Sequence, residues 1–434
     1  MALVSSFDFE LQPLRAAMSP RSFRNLVTIL TGWVLSGRRC ITRMMVAANV
    51  VGTRHHSTFH RFFSAAHWSL DNLGLIVFQR ILRYVEETIL LSLDDTLAHK
   101  RGRKMYGVGM HHDPLLSGQG KVVTSWGHNW VVLSVIVRFP LWPQRVFSLP
   151  ILVRLYLNKT AAAKWKVPYR TQGELAMEMI NLLCKPRKNR RFHIIADGAY
   201  GTQKLLLQLP DNCDLTSTLH MDARLYEAPP PATGRRGRPR KRGRQLPTPE
   251  QMLAGRRRRL KMKLYGRKQD VEIAQTMAYL HQLPQRPVCV VAVEPLQAGC
   301  RRRAFYSTCH KATARQVLSW YAQRWSLEVT FHDVKQHLGF EDPPGWTRPA
   351  VERTAPIALL LYDLIVLWYV EYAAHRSPLH VRPWYPTKSQ PSFSDMLLAL
   401  RRDSLEETIF APDVEPLVAS KIKNMLEFVL QNAA

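Results

Sequence analysis

The chain has 434 residues, 46% of them hydrophobic, enough for roughly two or three domains with real cores, which excludes a disordered chain. Lysine and arginine number 61 against 33 acids, and the net charge of +28 implies a polyanionic partner, nucleic acid or an anionic membrane surface. No apolar run reaches the roughly 18 residues needed to span a bilayer. The longest, Ile357 to Val370, is interrupted by Asp363, and the N-terminus lacks the charged-then-apolar order of a signal peptide, so no membrane partner is expected. Six scattered cysteines without a C-x-x-C pair fit structural roles in a reducing cytoplasm better than a disulfide scaffold or a zinc site.

Residues 1–87 read as a helical domain facing DNA. Phe23, Leu26, Val27, Leu30 and Val34 recur at helical spacing, as do Leu73, Ile76, Val77, Ile81 and Leu82. Between them Arg54, His55, His56, His60 and Arg61 form a basic patch that a short helix would carry into a groove. The patch is not specific, because any small basic bundle looks alike, and without a carboxylate its histidines point to phosphate or solvent more than to a metal.

Residues 88–212 read as the first part of an α/β core. Thr88 to Leu93 is a short apolar run, a buried strand ending in Asp94-Asp95-Thr96, with cations supplied by Lys100 to Lys104. Two carboxylates at the end of a core strand repel each other unless a cation or protons offset them; the bland alternative is a turn. Glycines between Gly107 and Gly120 mark a hairpin connection, Trp126 to Phe139 and Val146 to Leu157 read as further strands, and Gln172 to Leu183 as a helix. A second acid has the same setting: strand Arg191 to Ala196, then Asp197-Gly198-Ala199-Tyr200-Gly201, then a helix over Thr202 to Leu209. An aspartate at the C-terminal end of a strand, beside glycines, lies where open α/β sheets bind ligands, or else caps a turn.

Residues 213–303 form a basic, β-rich insertion. Gly234 to Lys268 holds fifteen Lys plus Arg and one acid, +14, half of the net charge. Such a block contacts phosphate backbone with little regard for sequence. Arg236-Gly237-Arg238-Pro239, followed by Arg240, resembles the core of an AT-hook, whose arginines lie along a narrow minor groove. Val271 to Met277 and Val288 to Val293 read as strands of a small sheet belonging to the insertion.

Residues 304–375 carry the rest of the core. Trp320 to Lys335 lacks Gly and Pro and reads as one helix, with Tyr321, Arg324, Glu328 and Lys335 on one face and Leu327, Phe331 and Val334 with Trp320 on the apolar one. Arg324 to Glu328 is an i,i+4 ion pair on the bland reading. Val351 to Tyr372 reads as a long apolar helix, and residues 376–434 as a helical tail after a Pro-rich stretch, with helices at Ser394 to Arg402 and Pro416 to Leu430.

The spacing Tyr-x2-Arg-x3-Glu-x6-Lys, behind two aspartates, resembles the YREK signature of bacterial insertion-sequence transposases of the DDE superfamily. The resemblance implies a ribonuclease-H-like mixed sheet flanked by helices, with the β-rich insertion between the second aspartate and the glutamate. It also implies a metal-binding catalytic triad of Asp94 (or its neighbour Asp95), Asp197 and Glu328 around two Mg2+ or Mn2+ ions, with DNA gripped by Tyr321, Arg324 and Lys335. Carboxylates are the ligands such hard cations prefer, and two of them suit phosphodiester cleavage. The implied function is metal-dependent cleavage of DNA at terminal inverted repeats and strand transfer into target DNA, by a homodimer assembled on DNA, in a bacterial cytoplasm at the nucleoid; the alternatives are a non-catalytic DNA-binding or architectural protein that uses the same basic insertion, and a plain ribonuclease-H-like nuclease. Members that cut through a DNA hairpin carry an aromatic, often tryptophan, in the insertion. Here no Trp lies between Cys213 and Cys309, leaving Tyr226 and Tyr265 as substitutes.

Overall fold

The computed structural model describes residues 2–409 apart from 119, 231–241, 298–299, 344, 378, 380, 382 and 384, together with residue 422. Arg236, Arg238, Arg240 and, but for residue 422, the helix expected from Pro416 to Leu430 lie outside the described residues.

Five helices come first: α1 (Ser5–Leu11), α2 (Pro20–Leu35), α3 (Ile41–Ala47), α4 (His56–Ser64) and α5 (Leu70–Ile81). Ser19 and Ser69 cap α2 and α5 by accepting hydrogen bonds from the Ser22 and Asn72 amides, and Pro20 fills the first position of α2. Of the basic patch, Arg54 is turned inward onto Asn25 and Thr28 of α2, at 3.3 Å each, while His56, His60 and Arg61 are exposed along α4.

The core then alternates strands and helices: β1 (Thr88–His99), β2 (Gly109–His112), β3 (Thr124–Val137), β4 (Phe147–Tyr156), α6 (Lys159–Lys164), α7 (Gln172–Cys184), β5 (Arg191–Ala196), α8 (Gln203–Gln208) and β6 (Cys213–Leu219). A capping box between Thr171 and Glu174 starts α7. Further on come β7 (Leu225–Tyr226), β8 (Gln245–Leu246), α9 (Pro249–Ala254), β9 (Arg258–Leu264), β10 (Arg267–Leu280), β11 (Leu283–Pro295) and β12 (Arg303–Ser307). The chain then turns helical, with α10 (Ala314–Gln323), α11 (Trp325–Leu338), α12 (Arg348–Trp368) and α13 (Phe393–Ile409).

One mixed sheet of twelve strands runs in the order β2-β3-β1-β5-β6-β12-β11-β10-β7-β8, with β4 on β3 and β9 on β10. β1, β5 and β6 are mutually parallel and the other pairs antiparallel. The insertion's strands therefore do not form a small sheet of their own. β12 lies between β6 and β11 and splices them into the core sheet.

β1 also departs from the reading that ends it at Leu93. It continues through both aspartates to His99, because β3 pairs with it from Leu91↔Val135 to His99↔Gly127. On the other edge β5 pairs only from Thr88↔Arg191 to Leu93↔Ala196 and then leaves. That early departure leaves β1 without a strand neighbour on this edge from Asp94 onward and sets Asp197, the residue after Ala196, beside the gap. Lys100, expected beside the aspartates, instead sends its ammonium to the carbonyls of Glu341 and Pro343.

The N-terminal helices, the sheet and the C-terminal helices share one hydrophobic core, including Trp33, Phe62, Phe78, Leu91, Leu133, Ile180, Leu327 and Leu361. Arg348–Ala373, which comprises α12 and one π-helical turn (Tyr369–Ala373), is apolar and long enough to cross a bilayer, contrary to the expectation that no segment is. Its most apolar window is 89% buried inside the fold, covered by protein. Asp363, within α12, is fully buried, neither carboxylate oxygen hydrogen-bonded among the described residues, and burial drives its pKa far above the usual carboxylate range.

The N-terminal helices meet the sheet where α5 crosses β4. A Cβ on Gly74 would stand 1.8 Å from the Ile151 carbonyl oxygen, so only glycine permits this approach. Gly74→Ala should lower stability by about 1–3 kcal/mol through overpacking, measured as a lower urea midpoint. An unchanged midpoint would show that the helix can withdraw without cost.

Candidate active site

The pleat of β1 sends Asp94 and Asp95 to opposite faces of the sheet. Asp95 is held on both oxygens, by the Asn129 amide at 2.9 Å and the Tyr200 hydroxyl at 3.2 Å. Asp94 faces the junction of α10 and α11 and pairs with Arg324, from which it is separated by 230 residues of chain. Arg324 also reaches Glu328 at 2.8 Å. The expected i,i+4 pair is therefore present, but as one arm of a guanidinium shared by two carboxylates. Asp197 is within electrostatic range of both Asp94 and Arg324. Its side chain caps the next turn by accepting from the Ala199 amide at 2.8 Å, so the turn-cap reading of this residue also describes the geometry.

Burial, opposed by Arg324 and reinforced by Asp95 and Asp197, pushes the Asp94 carboxyl up to about 7. Burial also works against the charge on Arg324, but Asp94, Tyr321, Glu328 and Asp197 outweigh it and raise its pKa. An isolated ion pair would pull its acid down while raising its base. Here both rise, because burial of the Asp94 carboxyl outweighs the pull of Arg324, and Asp95 and Asp197 add to it.

Arg324 occupies a break that the one-helix reading missed. Its amide donates to the Tyr321 carbonyl at 3.1 Å and its carbonyl accepts from the Leu327 amide at 2.9 Å, a tightened turn between α10 and α11. Arg324 keeps right-handed helical angles, so composition gave no breaker to find. Tyr321 is buried against Phe305, ring centroids 4.7 Å apart, and lies under the guanidinium at 5.6 Å. Trp320 leaves the apolar stripe of Leu327, Phe331 and Val334 and packs on His193 at 4.0 Å. Lys335, two turns beyond Glu328, donates to the Leu97 carbonyl at 2.6 Å and lies 3.8 Å from Glu341, farther along β1 than the aspartates.

A buried line of hydroxyls, absent from the sequence reading, ties this break to β1. Ser92 Oγ lies 2.6 Å from Ser134 Oγ and 2.9 Å from Ser148 Oγ; Ser148 Oγ is 2.6 Å from Ser326 Oγ, which donates to the Gln323 carbonyl at 2.7 Å. Ser92 is two residues before Asp94 and Ser326 two before Glu328. In an apolar core each hydroxyl needs its partner, so the line fixes the helix junction on the strand.

From the insertion, the β9–β10 hairpin brings Tyr265 to the site, its ring 6.4 Å from that of Trp325. Tyr226, the other candidate aromatic, sits at the opposite end of β10, paired with Tyr279 and under Arg242. Beside Asp197 a cavity of about 710 Å³ is lined by Gly198, Thr218, His220, Arg224 and Tyr306.

Among the described residues no three His, Cys, Asp or Glu side chains stand close enough to share a metal ion. Arg324 fills the position where Asp94 and Glu328 converge. The donors are nevertheless of the right kind: carboxylate oxygens in surplus, which hard divalent cations take. Asp94, Asp197 and Glu328 are thus the residues whose chemistry would suit such an ion.

The sequence matches the family described as DDE superfamily endonuclease over residues 13–277, more than half of the chain. The matched span holds Asp94, Asp95 and Asp197 and ends before Glu328. No curated protein matches the chain.

Two measurements probe this geometry. The folded-state pKa of Asp94 lies above the ordinary 3.8, so the folded state binds the extra proton and the metal-free protein loses stability as pH rises from there through about 7. The stability of Asp94→Asn relative to the unmodified protein should accordingly increase by about 1–3 kcal/mol between pH 5 and pH 8, and a pH-independent difference in urea midpoints contradicts the assignment. Ser148→Ala breaks the hydroxyl line and should cost about 1–2 kcal/mol; a neutral effect would mean that the line carries no load.

Proposed function

Because this chain belongs to the DDE superfamily of endonucleases, we propose that it is a transposase that cleaves DNA at the terminal inverted repeats of its own element and joins the ends to target DNA. The observation that carries the reading is the convergence on Arg324 of Asp94 and Glu328, with Asp197 in range, in the order and setting that the YREK resemblance implies. The triad assigned is Asp94, Asp197 and Glu328. Asp94 is preferred to Asp95 because Asp95 already spends both oxygens on Asn129 and Tyr200.

Magnesium or manganese ions bound by these carboxylates would activate the attacking oxygen and stabilise the leaving one. Arg324, a planar fork backed by the Tyr321 ring, is shaped to exchange its carboxylate contacts for two oxygens of the scissile phosphate. Tyr265 and Trp325, 45% and 52% exposed, offer ring faces to a base at the cut end, so Tyr265 takes the place of the missing insertion tryptophan. The helices preceding β1 and the arginines of residues 235–244 supply sequence-blind backbone affinity. Two ends held together imply a homodimer on DNA, at the nucleoid of a bacterial cytoplasm.

A plain nuclease is the second reading, favoured by the matched description, which names an endonuclease. It would cut without joining.

Glu328→Gln and Asp197→Asn should each reduce magnesium-dependent cleavage of end-bearing DNA by at least about a hundredfold while leaving DNA binding within about threefold of the unmodified protein. Supplying pre-cut ends with a target plasmid should yield joined products that a chelator abolishes. Cleavage retained by either variant rejects the triad, and cutting without joined products selects the plain nuclease.

A further inference from the structure

The two faces of the β9–β10 hairpin differ. Met262, Leu264, Val271 and Ile273 are buried against Val317, Leu318 and Tyr321 of α10. Strand alternation places Arg259, Lys261 and Lys263 of β9 on the other face, directly across from Glu272, Asp270 and Lys268 of β10.

Charge on this open face changes along the hairpin. Toward its base acids offset the cations: Arg259 pairs with Asp270 at 2.5 Å, and Arg257 reaches Glu272 at 2.9 Å and Glu294 at 2.5 Å. Lys261 stands across from Asp270. At the tip the matching stops. Lys263 faces Lys268 in register, and Arg267, across from Leu264 on the other side of the ribbon, follows the turn; all three are exposed and none has an acidic partner among the described residues. Like charges directly opposite on neighbouring strands are destabilising. A fold that matches its charges a few residues away keeps this repulsion where it has an outside use.

The turn points to that use. Tyr265 and Gly266 both hold left-handed backbone, φ 50° and 77°, a conformation a tyrosine rarely adopts. The resulting tight turn brings Tyr265 to Trp325, the residue next to Arg324. The unmatched cations thus flank the turn that carries Tyr265 to the carboxylate cluster.

We propose that the hairpin tip, Lys263, Arg267 and Lys268 around Tyr265, is a phosphate clamp that holds the DNA backbone next to the scissile position. It rests on the reading of this site as one that cuts DNA and adds to it the element that seats the strand. The base of the hairpin, charge-matched, is scaffold.

The test compares a tip variant, Lys263→Gln with Lys268→Gln, against Lys261→Gln, which changes an exposed lysine of the same face that has an acid opposite. Binding of the full chain to a random-sequence duplex is followed by fluorescence anisotropy between 50 and 200 mM NaCl, without divalent metal. Losing two phosphate contacts should make the slope of log K against log salt shallower by about 1.8, while Lys261→Gln changes it by less than about 0.5. Thermal unfolding of the tip variant should occur no lower than in the unmodified protein, because a repulsive pair has been removed. An unchanged slope, or an equal change in the Lys261 variant, overturns the clamp. Magnesium-dependent cleavage by the unmodified protein is scored separately. A fallen slope without any cleavage leaves the clamp and rejects the transposase reading, and cleavage with an unchanged slope rejects the clamp alone.

Discussion

The site depends on an imbalance of charge in a half-buried place. Asp94, Asp197 and Glu328 are set around a single guanidinium, and Asp95 lies across the strand within range of Asp94. Desolvation makes charge on Asp94 and Asp95 costly, so protons or added positive charge stabilise this corner of the sheet.

The imbalance follows from one topological detail. β5 pairs with β1 as far as Leu93 and then departs, so the aspartates of β1 meet side chains instead of another strand. β3 on the other edge keeps β1 straight through the same residues, and the serine line holds the α10–α11 junction at a set distance above it. Three segments far apart in the chain thus meet through backbone pairing and four buried hydroxyls, without a flexible loop supplying any of the acids on β1 or α11.

Much of this is legible in the residues. The apolar runs ending in acids at Leu93 and Ala196 mark the strands, and the periodic Tyr, Arg, Glu and Lys mark the helix face, because burial imposes periods of two and 3.6 that survive in any sequence. What escaped is set by partners. β1 passes through charged residues because β3 supplies hydrogen bonds there. The break at Arg324 keeps helical angles and leaves no Gly or Pro to betray it. The serines are too small and too common to signal a network until their hydroxyls are seen within 3 Å of one another. The destination of Lys100, and the membership of β10 and β11 in the main sheet, depend on contacts at long range that a local pattern does not encode.

The continuity of that sheet has a consequence for the insertion as a module. β12 is bonded to β6 on one side and β11 on the other, so the strands that carry the aspartates and the basic strands share a single hydrogen-bonded lattice. Excising β7 to β11 would strip a neighbour from β12 and expose its row of unpaired amides and carbonyls, a template for edge-to-edge association between molecules. Grafting the segment into another scaffold meets the same obstacle in reverse. Swaps among relatives are therefore constrained to junctions that carry β6 and β12 along with it.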